Sequence, residues 1–357
     1  MHQYDVVIVG GGPAGLYTAL NIKSKEVLVV EEHTRVGIPK HCTSVVGYWT
    51  ASQIAKLSKK LISNSYKSVE FVTPRGTHSL HFKVPIAYHV KRPELEEVLA
   101  SRLESKGYML ILGEKVKYIS GSTVRTRSKE LAYKLLVVAE GARSRTREIL
   151  LGEKGEFLYG LQVVARTKNP VEESLIVLYD SSIPEFFAWI VPLDRTTVKV
   201  GFATKKPSSK YFNAISRRTG IEVSHVLEKF GGLIPLNKPP KKPVFYGKIV
   251  LHGDAVPLTK PYTGGGLYGI FRLTPLLAHS IENNDLQAYT VTYKRLFYYR
   301  NLLEKYVVEF FRNTRYFIPA VIVHKISKVR LLGIEDFDKH LNIALKAIPL
   351  LPILLFI

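Results

Sequence analysis

Short apolar runs alternate with amphipathic stretches at the start of the chain. Tyr4–Val9 is nearly all apolar and rich in β-branched residues, which predicts a buried parallel strand. A glycine-rich loop and an amphipathic helix to about Lys23 follow it. Glu26–Val30 repeats the strand pattern and ends at two acidic residues, Glu31 and Glu32. This order predicts the strand–helix–strand unit that opens a doubly wound sheet.

The pattern changes in the middle of the chain, where strands follow one another with little helix between them. We predict strands over Gly160–Arg166, Leu175–Tyr179, Phe186–Val191 and Thr197–Ala203, a hairpin over Ser68–Val84, and helices over Tyr211–Thr219 and Val223–Lys229. Consecutive short strands of this kind indicate an antiparallel sheet.

Before and after this middle segment of the sequence, strands alternate with helices as they do at the start of the chain. We predict strands over Leu110–Val116, Lys134–Val138 and Lys248–His252, and helices over Ala51–Ile62, Pro93–Lys106 and Gly266–Asn283. The predicted fold class is α/β: a Rossmann-type dinucleotide-binding domain interleaved with an antiparallel β-sheet substrate domain, plus a helical C-terminal region. We assign residues 1–67, 90–150 and 245–300 to the first domain, 68–89 and 151–244 to the second, and 301–357 to the third.

The composition narrows the function classes. The chain of 357 residues has 51 Lys and Arg against 30 Asp and Glu, a net charge of +21. Such a field attracts polyanions, yet no nucleic-acid-binding motif is present. Solubility and contact with an anionic membrane surface both stay open. The single cysteine, Cys42, excludes an internal disulfide and fits a cytoplasmic protein. His41, His89 and His252 lack metal-ligand spacing, so we predict no metal site.

The two ends of the chain bear on membrane contact. The N-terminus has no basic segment or cleavage site, so we do not read it as a signal peptide, and no run of about 20 apolar residues is present. Tyr306–Leu332 mixes aromatic residues with Lys and Arg, including Arg315 and Arg330, which suits an anionic lipid surface or an ordinary helix pair. The apolar tail Ala347–Ile357 packs on the protein, pairs with a second subunit or dips into lipid. We therefore expect a cytoplasmic protein with peripheral contact to the inner face of the cell membrane.

A glycine motif lies between the first strand and the first helix. Gly10, Gly12 and Gly15 have G-x-G-x-x-G spacing, and Glu31 follows about 20 positions after the first glycine. These glycines permit a tight turn, close approach of a pyrophosphate and close helix packing, while Glu31 is placed to bind ribose hydroxyls. The predicted dinucleotide contacts here are Gly10, Gly12, Pro13, Ala14, Gly15, Glu31 and Glu32.

A second glycine-rich helix start, far along the chain, favours FAD over NAD. The strand at Lys248–His252 ends in Gly253 and Asp254, and a loop with three glycines leads into the next helix. Asp254 can accept a hydrogen bond from a ribityl hydroxyl, and the helix start can stabilise negative charge on a reduced flavin. The predicted contacts are Gly253, Asp254, Pro261, Gly264, Gly265, Gly266 and Leu267, so the Rossmann-type domain is predicted to be an FAD-binding domain.

In these segments the sequence resembles the FAD-dependent oxidoreductases of the aromatic-hydroxylase, glutathione-reductase-like class, and within them the geranylgeranyl reductases. Ala139–Ser144 resembles the Asp-Gly-x-x-Ser motif of that class, with Glu in place of Asp. Phe187–Pro192, followed by Gly201, resembles the Tyr-x-Trp-x-Phe-Pro signature of the reductases. The resemblance covers about residues 1–300. It implies further cofactor contacts at Arg92, Val116, Glu140 and Gly141.

The resemblance also implies a reaction. Geranylgeranyl reductases transfer a hydride from reduced flavin to an isolated C=C bond of an isoprenoid, and the second carbon gains a proton. Similar reductases carry Pro-x-x-Cys near the flavin, which here is Pro39–Cys42, so Cys42 with His41 is the predicted catalytic pair. A small buried hydrophobic role for Cys42 stays open.

The same resemblance implies the substrate and its partners. The predicted substrate wall consists of Phe187, Trp189, Pro192 and Tyr262, unless these residues only fill the sheet core. An isoprenoid lipid and an electron donor, either a ferredoxin-like protein or NAD(P)H, are the implied partners. A flavin monooxygenase or halogenase and a non-catalytic electron carrier are the alternatives.

Overall fold

A computed structural model describes residues 2–183, 185–313, 316–328 and 332–347. In chain order its strands are β1 (Gln3–Val9), β2 (Val27–Val30), β3 (Val45–Gly47), β4 (Ile62–Tyr66), β5 (Ser68–Thr73), β6 (Gly76–His81), β7 (Ala87–Val90), β8 (Met109–Ile111), β9 (Tyr118–Ser120), β10 (Thr123–Arg125), β11 (Glu130–Val138), β12 (Phe157–Thr167), β13 (Ser174–Leu178), β14 (Ala188–Pro192), β15 (Thr197–Thr204), β16 (Val223–Pro235), β17 (Val244–Phe245) and β18 (Ile249–Leu251). The α-helices are α1 (Pro13–Asn21), α2 (Tyr48–Leu57), α3 (Arg92–Ser105), α4 (Arg145–Leu151), α5 (Lys210–Thr219), α6 (Leu267–Glu282), α7 (Leu286–Tyr293), α8 (Tyr299–Asn313), α9 (Ile318–Lys328) and α10 (His340–Ala347).

The chain divides into two compact units, and each unit is assembled from three stretches of sequence. The first unit contains the residues up to 39, 91–156 and 235–303, and the second contains 40–90, 157–234 and the residues from 304 onward. Residues 40–67, which are predicted to belong to the FAD-binding domain, lie in the second unit. The reason is strand pairing, because β3 and β4 both pair with β7.

A mainly parallel sheet forms the centre of the first unit. Its order is β17-β18-β11-β1-β2-β8, and β10 and β9 extend from β11. Val9 at the end of β1 is level with Val30 of β2 and Val138 of β11. Because these strands are parallel, the loops that follow them open at one edge of the sheet. Its centre is buried and apolar at Val6–Val9 of β1, at all four residues of β2 and at Leu136–Val138 of β11, and α1 packs against α3 and α6.

A seven-stranded sheet forms the centre of the second unit, in the order β16-β12-β15-β14-β13-β5-β6. Strands β12, β15, β14 and β13 pair antiparallel in turn, as predicted. The sheet also contains a parallel pair, β5 with β13, because the hairpin β5–β6 joins from an earlier part of the chain. The core on this sheet includes Phe202, Val198 and Ala165, all fully buried.

The helix predicted over Val223–Lys229 is wrong, because this segment belongs to strand β16. Its apolar residues Val223, Val226 and Leu227 have helical spacing, but the segment adds to the sheet edge beside β12. Gly231 lets the two backbones approach, since a Cβ atom there would lie 2.7 Å from the carbonyl oxygen of Gly160. Pairing with a distant strand therefore overrides the local pattern.

The described part of the C-terminal region is helical, as predicted, and contains α8, α9 and α10. The apolar tail beyond Ala347, together with Arg315 and Arg330, lies outside the described residues. Within the described ranges, no helix has both the length and the apolar character needed to cross a membrane.

Candidate functional site

In the glycine loop after β1, one glycine has open space where a side chain would be, and two others have none. A Cβ atom on Gly10, whose φ is +110°, would lie 2.2 Å from the carbonyl oxygen of Ala139. A Cβ atom on Gly15 would lie 1.9 Å from the carbonyl oxygen of Gly10. At Gly12, which precedes α1 directly, a Cβ atom would meet nothing within 4 Å. The free N–H groups that start α1, with Pro13 in the first turn, therefore border open space.

Glu31 stands beside this loop and holds it by hydrogen bonds, and its contact with a ribose stays a prediction. The residue is 8% exposed, and its Oε2 accepts a hydrogen bond of 2.6 Å from the backbone N–H of Gly11. Its Oε1 accepts one of 2.9 Å from the N–H of His33. A carboxylate offers about four lone-pair sites, so Glu31 can still accept from ribose hydroxyls. Glu32, by contrast, forms an exposed ion pair of 2.7 Å with Lys115.

Asp254 lies in the short turn that follows β18 and has an unsatisfied oxygen. Its Oδ1 is buried and has no hydrogen-bond partner among the residues that the structure describes. The neighbouring Gly253 has φ +64°, and a Cβ atom there would lie 2.6 Å from the Cβ of Ala14, so the turn packs against the start of α1. Gly266, which precedes α6, lies against the carboxyl group of Asp254, because a Cβ atom there would be 2.9 Å from Oδ1.

Burial raises the pKa of Asp254 to about 6, although two cations, Arg92 and Arg147, oppose the rise. Arg92 begins α3, and its Nη2 donates a hydrogen bond of 2.6 Å to Glu96. Arg147 lies in α4 and is 1% exposed. Within the described chain its Nη1 and Nη2 find no acceptor. The charges of two guanidinium groups therefore oppose the rise in the pKa of this one carboxyl group.

Arg147 was not predicted from the sequence. The sequence does mark the start of its helix, because serine is a typical N-cap residue. In the structure the hydroxyl of Ser144 accepts a hydrogen bond of 3.1 Å from the N–H of Arg147, and α4 begins there. Thr146 and Arg147 are the buried residues of this short helix. Because arginine is charged, a reader of the sequence expects it on the surface and does not predict its burial.

The carboxylate of Glu140 holds the turn before α4. It accepts hydrogen bonds from the hydroxyls of Ser144 and Thr146, at 2.8 Å and 2.7 Å, and from the N–H of Thr146, at 3.1 Å. Gly141, with φ +74°, allows the chain to reverse. Glu140 also borders a cavity of about 460 Å³ in the first unit, which is lined by Val116, Lys117, Tyr118, Arg145, Thr146 and Tyr246 among others. Cofactor contacts of Val116, Glu140 and Gly141 stay predictions.

The second glycine-rich loop forms a compact turn ahead of α6. The N–H of Gly264 donates to the carbonyl of Lys260 at 2.8 Å, and the N–H of Lys260 donates to the carbonyl of Gly265 at 3.0 Å. Pro261 and Tyr262 are half-buried inside this turn. The helix then begins at Leu267, which is 5% exposed.

The loop that carries Cys42 belongs to the second unit. Cys42 is half-buried, and its Sγ accepts a hydrogen bond of 3.3 Å from the N–H of Ser44. Ser44 itself has φ +72°, a conformation that costs energy for a residue other than glycine. The backbone of His41 lies against Gly232 of β16, where a Cβ atom would be 2.4 Å from the carbonyl oxygen of His41. The fold therefore holds this loop in a defined and strained conformation.

Gln162 joins the Cys42 loop to Trp189. Its Oε1 accepts from the hydroxyl of Thr43 at 2.8 Å and from Nε1 of Trp189 at 3.3 Å. Gln162 is 2% exposed and was not predicted from the sequence. Gly201 makes room for the indole, since a Cβ atom there would lie 2.6 Å from the Trp189 ring. The structure therefore brings the predicted Cys42 and Trp189 segments together.

The predicted substrate residues are mostly enclosed. Phe187 and Trp189 are each 8% exposed, and Phe187 stacks on Phe186 with ring centroids 4.1 Å apart. Pro192 is buried at the end of β14, where its carbonyl accepts from the hydroxyl of Tyr66 at 2.7 Å. Phe187, Trp189 and Pro192 lie in the second unit, whereas Tyr262 lies in the first. In the described part of the chain, no three His, Cys, Asp or Glu residues are grouped as metal ligands would be.

The parallel sheet and its glycine-lined helix starts define the class of α/β proteins that bind a dinucleotide at the carboxyl edge of a sheet. The chain belongs to the lycopene cyclase protein family, whose model matches residues 5–302.

Related proteins confirm the resemblance to geranylgeranyl reductases. The chain is 28% identical over 288 residues to an uncharacterised protein of Methanocaldococcus jannaschii, a match covering 75% of this chain and 72% of that protein. It is 23% identical to digeranylgeranylglycerophospholipid reductase 1 of Methanococcoides burtonii, over 74% of this chain and 71% of the relative. It is 26% identical to geranylgeranyl diphosphate reductase of Rhodobacter capsulatus, over 74% and 72% of the two chains.

Solved structures share the fold. A geranylgeranyl bacteriochlorophyll reductase-like protein of Thermoplasma acidophilum superimposes with a TM-score of 0.67 at 19% identity, covering 95% of this chain and 90% of that one. The flavin-dependent brominase Bmp2 superimposes with a TM-score of 0.69 at 15% identity, covering 94% of both chains. The fold is therefore one that flavin-dependent enzymes use.

Proposed function

We propose that this chain is an FAD-dependent reductase that hydrogenates isolated C=C bonds of a geranylgeranyl-type prenyl lipid. The observation that carries the proposal is the pairing of two glycine-lined helix starts with the unsatisfied Oδ1 of Asp254, in a chain whose relatives include geranylgeranyl reductases.

The residues present fit FAD. The open space at Gly12 and the N–H groups at the start of α1 suit a pyrophosphate, and Glu31 suits the adenosine ribose. Among the described residues none donates to Oδ1 of Asp254, and a ribityl hydroxyl would supply a donor. Bound and reduced FAD would supply a hydride to one carbon of the double bond.

The chain's own residues would supply the proton for the other carbon. In this step the S–H bond of Cys42 breaks, a C–H bond forms, and the thiolate that is left takes a proton from water. The N–H of Ser44, 3.3 Å from Sγ, would stabilise that thiolate. Phe187, Trp189 and Pro192 would line the apolar wall of the substrate site in the second unit, and the substrate contact of Tyr262 stays a prediction. The electron donor would be a ferredoxin-like protein or NAD(P)H.

Peripheral contact with the inner face of a cell membrane is part of the same proposal, because the substrate is a lipid. Large apolar side chains of α8 are 36–65% exposed and recur at helical spacing, namely Tyr299, Leu303, Tyr306, Val307 and Phe310. Such a stripe, on a chain of net charge +21, suits an anionic lipid surface.

One experiment separates the candidate functions. The purified protein is reconstituted with FAD, reduced with dithionite without oxygen, and mixed with a geranylgeranyl lipid. Reoxidation of the flavin, with a lipid product that has gained hydrogen atoms in pairs, supports the reductase. NADPH consumption under oxygen that an aromatic substrate stimulates would instead indicate a monooxygenase, and no response to either substrate would indicate an electron carrier.

A further inference from the structure

The cavity of about 460 Å³ that Glu140 borders has a lining of its own within the first unit. Helix α4 forms one wall, and the other lining residues come from β9 with the residues before it and from the turn between β17 and β18. That turn precedes β18, whereas Asp254 follows it, so the cavity extends from the carboxyl edge of the parallel strands to their opposite edge. Gly12, Glu31 and Asp254 are not among its lining residues. We name this cavity the α4 cleft.

The charged side chains that line the α4 cleft are mostly positive. Lys117 and Arg145 are exposed, and within the described chain their side chains form no hydrogen bond or ion pair. Lys248 is half-buried, and its Nζ donates a hydrogen bond of 2.9 Å to the uncharged hydroxyl of Ser122. The carboxylate of Glu140 already accepts three hydrogen bonds from the turn before α4. The cleft therefore offers positive charge to an anionic ligand.

Tyr246 borders the cleft in a conformation that its own turn does not favour. Tyr246 and Gly247 connect β17 to β18, and the N–H of Lys248 donates to the carbonyl of Phe245 at 3.1 Å. The φ angles are +50° at Tyr246 and +67° at Gly247, so both central residues of this hairpin turn lie in the left-handed region. Glycine, asparagine and aspartate suit such positions, and a tyrosine costs energy there. The strained turn presents a ring that is 79% exposed to the cleft.

A second exposed ring narrows the class of ligand. Tyr118 of β9 also lines the cleft and is 64% exposed. Aromatic faces stack on planar rings, and the side chains of Lys and Arg bind phosphate groups. A nucleoside phosphate carries a planar base and anionic phosphates in one molecule. The volume of about 460 Å³ also lies within the range of small-molecule sites, about 300–1,000 Å³.

We propose that the α4 cleft is a second nucleotide site, separate from the glycine loop. Tyr246 and Tyr118 contact the base, and Lys117, Arg145 and Lys248 bind the phosphates. The ligand is a free nucleotide such as ADP or the adenosine phosphate half of NADPH, because both present the same base and phosphates. The site itself stands without the proposed function. Only the second source rests on it, since NADPH is one of the proposed electron donors.

Calorimetric titration of the FAD-saturated protein with ADP tests the cleft, because FAD then occupies the glycine loop. We expect ADP to bind about tenfold more tightly than adenosine, which lacks the phosphates. Lys117→Gln with Arg145→Gln should weaken ADP binding about tenfold, and Tyr246→Gly should weaken it several-fold while it relieves the turn. As the matched control, Arg127→Gln with Lys129→Gln removes the same two charges from the exposed turn between β10 and β11 and should leave ADP binding unchanged. All five side chains are exposed, so the variants should fold.

The proposal is overturned if the FAD-saturated protein binds no ADP at millimolar concentration, or if Lys117→Gln with Arg145→Gln leaves ADP affinity unchanged. Addition of NADPH distinguishes the two sources. Displacement of ADP by NADPH supports the dinucleotide, and ADP binding that NADPH does not alter supports a free nucleotide. If the protein binds no FAD, the reductase function is rejected, whereas ADP titration of Gly12→Ala, in which the glycine loop is obstructed, still tests the cleft.

Discussion

Gly266 and Asp254 share one small space, because a Cβ atom on the glycine would lie 2.9 Å from the unsatisfied Oδ1 of the carboxyl group. The start of α6 therefore lies directly against the turn after β18, and a side chain at position 266 would crowd Oδ1. On the proposed function, we expect the protonation of Asp254 to report cofactor binding.

FAD binding should weaken in acid. Burial raises the pKa of Asp254 to about 6, and a ligand hydroxyl that donates to the carboxylate lowers it again in the complex. Binding then releases a proton below pH 6, so affinity should be constant above about pH 7 and fall about tenfold per pH unit below about 6. Titration by flavin fluorescence at several pH values measures this slope. Asp254→Asn should bind more weakly and without the slope, and an equal slope in that variant would show that another group titrates.

Arg147 should set the position of that slope. Its charge lowers the pKa of Asp254, so Arg147→Met should raise that pKa and move the onset of acid weakening to higher pH. Arg143→Met, which removes an exposed charge from the neighbouring turn, is the matched control. An onset that is identical in the two variants would contradict the coupling between Arg147 and Asp254.

Two glycines of one loop should respond differently to the same substitution. Gly12→Ala meets no protein atom within 4 Å, so stability should hold, while FAD affinity drops about tenfold or more because the methyl group enters the pyrophosphate space. Gly15→Ala places a Cβ atom 1.9 Å from the carbonyl of Gly10 and should lower the free energy of unfolding by about 1–3 kcal/mol even without FAD. Thermal unfolding with and without FAD distinguishes them. Equal effects on unfolding would refute the distinction.

The contact between Gly201 and Trp189 should be intolerant of a methyl group. A Cβ atom there would lie 2.6 Å from the indole and 2.7 Å from Gln162, so Gly201→Ala should cost about 1–3 kcal/mol of unfolding free energy. Gly160 on the paired strand β12 is the control, because its Cβ atom would have ordinary contacts from 3.5 Å outward. Denaturant unfolding of both variants tests this, and similar midpoints would argue against a tight indole site.

The exposed stripe of α8 should bind anionic vesicles. Leu303→Ser with Phe310→Ser removes two side chains that are 50% and 65% exposed, and should reduce cosedimentation with phosphatidylglycerol vesicles several-fold. Val291→Ser on α7 removes a side chain that is 56% exposed and should have little effect. Cosedimentation that survives the double substitution would exclude this stripe as the lipid contact.

The glycine turns could be predicted from the sequence because their cause is local. Gly10 and Gly15 have no space for a side chain, and the strand before them ends in four buried apolar residues, Val6–Val9. Strand β16 could not be predicted, because its partner β12 lies more than fifty residues earlier and its own spacing is helical. The strand predicted over Leu110–Val116 ends at Ile111, since the chain turns away at Gly113 with φ +76°.

The network around Cys42 was missed for a different reason. Lys199 lies between Val198 and Val200, so alternation places its side chain on the opposite face of β15, which a sequence reader assigns to solvent. In the structure every residue of β15 is buried, and that face lies under the Cys42 loop. Gln162 is hidden in the same way. Polar residues in a strand that is covered on both sides are therefore the ones that sequence alone misplaces.

The assembly of each unit from three separated stretches has a consequence for biosynthesis. The chain passes from one unit to the other after residues 39, 90, 156, 234 and 303. A nascent polypeptide emerging from the ribosome therefore cannot complete the first unit until α6, α7 and the first turn of α8 have left the exit tunnel, nor the second until the rest of α8, α9 and α10 follow. The early strands must wait for partners, so slow translation or premature termination would leave apolar edges for chaperones to shield.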